Sequence, residues 1–242
     1  MQVLTREQAR LAAGLVFLLS VIGSLVYGAL VVRDWLKDEQ RMPVQVVDFS
    51  GDFAHVNVAR LERLIRQSQP GSFFELDVNE VFVLVEAQPW VYRASVRKQW
   101  PNKLKIYLVE QQPVAQWNDD MLLNPYGDTF EASADELALP KLFGPGGSEK
   151  TALEGYNAMK SLLATSSMAI AELSLSERFA WQMQLTNGIE LNLGRQEFID
   201  RLQRFIDVFP LLTKEEKPVR YVDLRYDTGF AVGWQDDDNK QS

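Results

Sequence analysis

From Leu11 to Val32 the chain runs 22 residues without a formal charge, between Arg10 and Arg33, and 13 of them are Leu, Ile, Val or Phe. At about 1.5 Å per residue this is a helix of roughly 33 Å, against a hydrocarbon core of ~30 Å. Each large apolar side chain near the bilayer centre favours insertion by roughly 0.3–0.6 kcal/mol, which outweighs the interspersed Ser and Gly. The pattern predicts one uncleaved membrane span over 11–32, behind a tail of residues 1–10. A signal peptide fits worse. Its apolar region runs to about 7–15 residues and ends in a small-x-small site, whereas this run continues through Ala29-Leu30-Val31-Val32 and offers only Val26-Tyr27-Gly28. Arg6 and Arg10 precede the span and Arg33, Lys37 and Arg41 follow it, so charge alone does not orient it. Ser20, Ser24 and Gly28 recur every four residues, a spacing that supports close helix packing and that also arises by chance in spans.

After a charged, non-periodic spacer (33–42) the periods shorten. Val44–Phe49 reads as a strand closed by Ser50-Gly51-Asp52. Asn57 caps a helix with Val58, Leu61, Leu64 and Ile65 on one face, ended by Gln69-Pro70-Gly71-Ser72. Asp77 caps a second helix from Val78 to Ala87. Tyr92, Ala94 and Val96 then alternate with Arg93, Ser95 and Arg97, and Leu104, Ile106 and Leu108 with Lys103, Lys105 and Tyr107, across Trp100-Pro101-Asn102. Period two on both sides of a tight turn is a β-hairpin with one wet face. Residues 43–112 thus read as a β-α-α-β-β unit.

Residues 113–235 read as a mainly antiparallel β domain with two helices. Strands are expected over Val114–Trp117, Met121–Leu123, Phe179–Leu185 and Ile189–Leu193, the last two around Asn187-Gly188. A final pair, Tyr221–Tyr226 and Phe230–Trp234, flanks Asp227-Thr228-Gly229. Leu139–Gly147 reads as an irregular loop. One helix starts at a Ser148 cap and carries Leu153, Tyr156, Met159, Leu162 and Leu163; the other runs from Gln196 to Phe209 and stops at Pro210. Residues 236–242 form a polar, acidic tail expected to be disordered. The fold class is α+β behind one transmembrane helix.

Composition narrows the chemistry. The net charge is −8, of which residues 1–10 contribute +1, so the rest is acidic. That disfavours nucleic-acid binding, which needs Lys and Arg to replace phosphate counterions. With no cysteine, disulfides, thiolate metal sites and thiol nucleophiles are excluded. The single histidine, His55, sits in a turn with no second His or Cys to complete a metal site or a nucleophile dyad. Gly144-Pro145-Gly146-Gly147 lacks the Lys and preceding strand of a phosphate cradle, and Asp119-Asp120 reads as solvated turn acids. Asp236-Asp237-Asp238 lacks the spacing of a calcium loop. No catalytic residue, metal or cofactor is expected.

Arg93, Arg97, Lys98, Lys103 and Lys105 cluster on the hairpin, either as a solvated face or as a contact for partners or lipid headgroups. In the last hairpin Val222, Leu224 and Tyr226 alternate, as do Phe230, Val232 and Trp234, while Ala231 and Gly233 leave the other face almost bare. A last strand with no later strand to pair with is an open edge, a liability unless something docks on it, and strand addition is a common use. Core packing is the competing reading of Tyr226 and Trp234.

Four runs carry a family resemblance. Ser95–Pro101 with Leu104-Lys105-Ile106 resembles the POTRA (polypeptide-transport-associated) module of the bacterial FtsQ division-protein family. Leu191–Arg195, Tyr221–Tyr226 and Ala231–Trp234 match the same family in register. The resemblance implies an inner-membrane protein with a cytoplasmic N-terminus and a periplasmic bulk, acting as a septal scaffold that binds FtsB and FtsL. It implies an FtsB-binding strand involving Tyr226, Thr228, Gly229 and Trp234, with Arg178 and Arg225 as charge partners. It also implies a recruitment patch of Val78, Val96 and Lys98, although Val96 falls on the apolar face and its core role competes. The ten-residue tail is short for the family. The alternatives are a POTRA-bearing assembly or transport factor, which would need tandem modules or a C-terminal barrel, and an anchored periplasmic enzyme.

Overall fold

The computed structural model describes residues 6–38, 40–133, 137–215, 217–226 and 229–235. Contacts divide the chain into two units, Met1–Glu110 and Gln111–Ser242.

In the first unit, helix α1 spans Arg6–Lys37, and its stretch Ala13–Lys37 is long and apolar enough to cross a membrane. The Ser24 hydroxyl donates to the Ser20 carbonyl at 2.9 Å, so that side chain is bonded within its own helix. Strand β1 (Val46–Ser50) is followed by helices α2 (Val58–Ser68) and α3 (Val78–Glu86), then strands β2 (Val91–Gln99) and β3 (Lys103–Glu110). Both predicted caps form: Asn57 accepts from the Arg60 N–H and Asp77 from the Asn79 N–H. The sheet order is β1-β3-β2, with β1 parallel and β2 antiparallel to β3. Leu61, Ile65, Val81 and Val85 of the helices pack on Leu104, Ile106 and Leu108, all nearly solvent-free. Fully burying such a side chain is worth about 1.5–3 kcal/mol, which is what holds these short elements together.

Among the described residues the second unit is one sheet of nine strands. They are β4 (Ala115–Trp117), β5 (Met121–Leu123), β6 (Thr129–Phe130), β7 (Lys141–Phe143), β8 (Ile170–Leu175), β9 (Trp181–Leu185), β10 (Glu190–Gly194), β11 (Val219–Asp223) and β12 (Ala231–Trp234). The order is β12-β11-β10-β9-β8-β7-β4-β5-β6. The pairings β10·β11, β7·β8 and β4·β7 are parallel and the rest antiparallel. Helices α4 (Glu149–Leu163) and α5 (Phe198–Leu212) cover one face. Gly155 lets α4 approach closely, since a Cβ there would run into the Trp181 ring.

Four expectations are corrected. Leu139–Gly147 is not all loop: Lys141–Phe143 is a central strand, held between β4 and β8, with Leu142 fully buried. Pro210 does not end α5, because Leu212 packs on the core and the Thr213 N–H closes onto Phe209 O at 3.1 Å. Ser148 stands at the N-cap of α4, but its hydroxyl donates back to Pro145 O rather than capping the helix. Phe179 has a φ of 58° and sits in the turn before β9, so the strand predicted over Phe179–Leu185 begins only at Trp181. The predicted disordered tail, 236–242, lies outside the described residues.

Candidate partner-binding edge

β12 ends the nine-stranded sheet and pairs only with β11 among the described residues, with Tyr221 opposite Gly233, Val222 opposite Val232 and Asp223 opposite Ala231. The Gln235 N–H donates inward to Pro218 O at 2.9 Å. Backbone groups of a strand alternate in direction, so those of Ala231 and Gly233 also face β11, and those of Val232 and Trp234 face the open side.

The side chains follow the other alternation. Phe230, Val232 and Trp234 pack partly against the core. The opposite face is not bare, as the sequence suggested: the Tyr221 ring lies over Gly233 and fills the space of the missing Cβ. Cross-strand aromatic cover of an edge glycine compensates for its lost packing. Val222 and Leu224 are fully buried, but the expected alternation fails at Tyr226 because β11 ends at Asp223. Tyr226 is 56% exposed, so it is not a core residue.

Charged groups set the turn. Arg204 on α5 donates to Tyr226 O at 3.1 Å and Gly229 O at 3.5 Å, tying together the two ends of the β11–β12 connection. Arg201, one turn earlier and buried, donates to Leu193 O at 2.8 Å. Arg225, expected as a charge partner, holds Asp223 through Nε at 2.9 Å and Nη2 at 2.7 Å. The Arg225 hydrogen bond keeps the Asp223 carboxyl below its ordinary range, against the opposing effect of partial burial. Arg178 is exposed in the β8–β9 turn. That turn lies at the same end of the sheet, three strand spacings (roughly 14 Å) from β12. Thr228 lies outside the described residues.

The POTRA residues are placed differently from the sequence picture. Val78 and Val96 both pack partly on the core. Lys98 does not share the face of Arg93 and Arg97, because period two turns it to the helix side. Its Nζ donates to Phe74 O at 3.1 Å and lies 5.4 Å from the Phe73 ring centre, and burial lowers its pKa. The free edge of β2 is partly occupied, since the Ala94 N–H donates to the Glu86 carboxylate at 3.2 Å.

His55 stacks on Trp90 at 4.1 Å, and the neighbouring Glu110 accepts from the N–H groups of Ala54, His55 and Val56. This arrangement ties down a loop. Among the described residues no group of three or more His, Asp or Glu side chains converges as a metal site.

Sequence reasoning passed over Tyr221, Asp223, Arg204 and Glu86. For Tyr221 a signal existed: a glycine inside the last strand asks which cross-strand ring covers it. Nothing local marks Arg204, whose partners lie 22 and 25 residues away.

A helix of membrane-spanning length, a β-α-α-β-β unit and a helix-backed mixed sheet with an open edge among the described residues define a POTRA-bearing protein with one N-terminal apolar helix. Residues 42–111 match the family described as POTRA domain, FtsQ-type, and residues 115–225 match Cell division protein FtsQ/DivIB, C-terminal. The chain is 45% identical over 226 residues to Cell division protein FtsQ of Shewanella oneidensis, covering 93% of this chain and 86% of that one. It is 38% identical over 238 residues to the Escherichia coli protein of that name (95% and 86%), and 36% identical over 235 residues to the Vibrio cholerae one (95% and 88%). The chain belongs to the FtsQ family of cell division proteins.

Proposed function

We propose that this chain is a non-catalytic scaffold of the division septum that holds FtsB, together with FtsL, by accepting an FtsB strand on β12. In this reading α1 spans the inner membrane with its N-terminus in the cytoplasm, and both folded units lie in the periplasm. The observation that carries the proposal is an edge strand whose Val232 and Trp234 backbone groups face outward beside an exposed Tyr226. Added main-chain bonds would supply register, and the aromatic side chains specificity. Tyr226, Thr228, Gly229 and Trp234 are the proposed contacts. Arg178 and Arg225 are proposed charge partners, Arg225 acting from its Asp223 pair. A separate recruitment surface on the POTRA unit would use Val78, Val96 and Lys98, with the β2 edge beside them.

The test is purification of the full chain from membranes with its bound proteins. FtsB and FtsL are expected to accompany the unaltered chain, and a folded Tyr226→Ala variant to lose most of both. Equal recovery with that variant would contradict the docking role of the edge.

A further inference from the structure

The aromatic group at the end of the POTRA unit nearest α1 has no part in strand docking. Trp100, in the β2–β3 turn, is 65% exposed although its ring meets Phe74 at 5.1 Å and Phe73 at 5.9 Å, both edge-on. This end is joined to the anchor by short, direct contacts. Lys37, the last residue of α1, pairs with Glu75 at 3.1 Å, and the Phe73 N–H donates to Met42 O at 2.7 Å. The Gln45 N–H donates to Asn102 O at 3.0 Å, which brings the Trp100 turn to the same pole.

Distance along the helix sets the height of that pole. Val32, the last residue of the apolar run, is five residues before Lys37, or about 7.5 Å along the axis. The headgroup layer is roughly 5–8 Å thick on each side of the hydrocarbon core. Phe73, Phe74 and Trp100 are therefore held at headgroup level, where Trp partitions with its ring in the apolar boundary and its N–H in water. Trp35, 44% exposed in the last turns of α1, lies at the same level.

We propose that this pole of the POTRA unit, with Trp100 at its tip, seats on the bilayer interface and fixes the unit against the membrane surface. The proposal rests on the anchor reading given above. The occupant is the lipid interface as such, because the exposed group at the tip is the Trp100 ring and the cations between α1 and the unit are already paired: Arg33 with Asp34, Lys37 with Glu75 and Arg41 with Asp38.

The test uses the full chain in phosphatidylcholine vesicles, exploiting the absence of native cysteine. Single variants Lys103→Cys, beside Trp100, Asp52→Cys, at the far end of β1, and Val21→Cys, inside the span, each carry a nitroxide label. Collision with lipid-soluble oxygen is compared with collision with a water-soluble nickel chelate. The ratio at 103 is expected to exceed that at 52 several-fold, to be unchanged on adding phosphatidylglycerol, and to fall toward the value at 52 with Trp100→Ser but not Trp100→Tyr. Equal ratios at 103 and 52, with a lipid-like value at 21, would overturn the seating and leave the anchor intact. A water-like value at 21 would overturn the anchor and the seating with it.

Discussion

Tyr221 and Gly233 face each other across the last two strands, the ring of one occupying the place where the other would carry a Cβ. The ring thus covers the outer face of the last strand where Gly233 carries no side chain. Gly233→Ala is expected to destabilise the second unit by about 1–3 kcal/mol, the usual cost of overpacking. Tyr221→Ala should relieve that clash, so the double variant should lose less than the two single losses combined. Denaturant unfolding of the four proteins measures the coupling. Strict additivity would mean that the ring does not bear on the glycine.

Glu110 accepts three backbone N–H bonds at 2.7, 2.6 and 2.8 Å, and so fixes the loop between β1 and α2 from the end of β3. Bonds to a charged acceptor are the strong ones, and loss of the acceptor leaves donors unpaired. Glu110→Ala is expected to cost the POTRA unit about 3 kcal/mol and to speed amide exchange at 54–56. Unchanged exchange at those amides would show that the loop holds without it.

Asp223 supplies a pH dependence. Its carboxyl is held below the ordinary range by the Arg225 hydrogen bond, so its contribution to stability is fully present above the unfolded value of about 4. That contribution is lost as pH falls through the lower folded value. Relative to Asp223→Asn, the wild-type melting advantage should be constant from pH 7 to about 5 and disappear on further acidification. An advantage that persisted to the lowest pH at which the chain stays folded would mean that the pair does not matter.

The helices and hairpins that satisfy themselves locally were legible. Asn57 and Asp77 sit where caps are needed, and Leu104, Ile106 and Leu108 alternate cleanly against charged neighbours. Strand β7 was not, because three residues between Pro140 and Gly144 are too few to display a period; its strandness comes from parallel neighbours on both sides. Strand β8 carries a readable alternation in Leu173 and Leu175. The location of the candidate edge followed from the position of Phe230–Trp234 near the end of a run of strands. Which backbone groups face outward did not, because it depends on the Gln235–Pro218 bond, and neither did the engagement of Arg225 by Asp223.

The direction of the backbone groups separates folding from docking. Gly233 faces β11, so Gly233→Pro removes a donor from the hairpin itself and is expected to lower the melting temperature. The Val232 N–H faces the open side, where proline is compatible with an edge strand, so Val232→Pro breaks no hairpin bond and should lower the melting temperature less than Gly233→Pro, by the core packing its side chain gives up.

Calorimetric titration of the full chain in detergent with the periplasmic part of FtsB, comparing wild type with Val232→Pro, tests strand addition on β12 most directly. Loss of one ladder bond together with the intrusion of the ring is expected to weaken binding at least about tenfold, or roughly 1.4 kcal/mol, in a chain that remains folded. Wild-type affinity in a folded Val232→Pro chain would contradict the account.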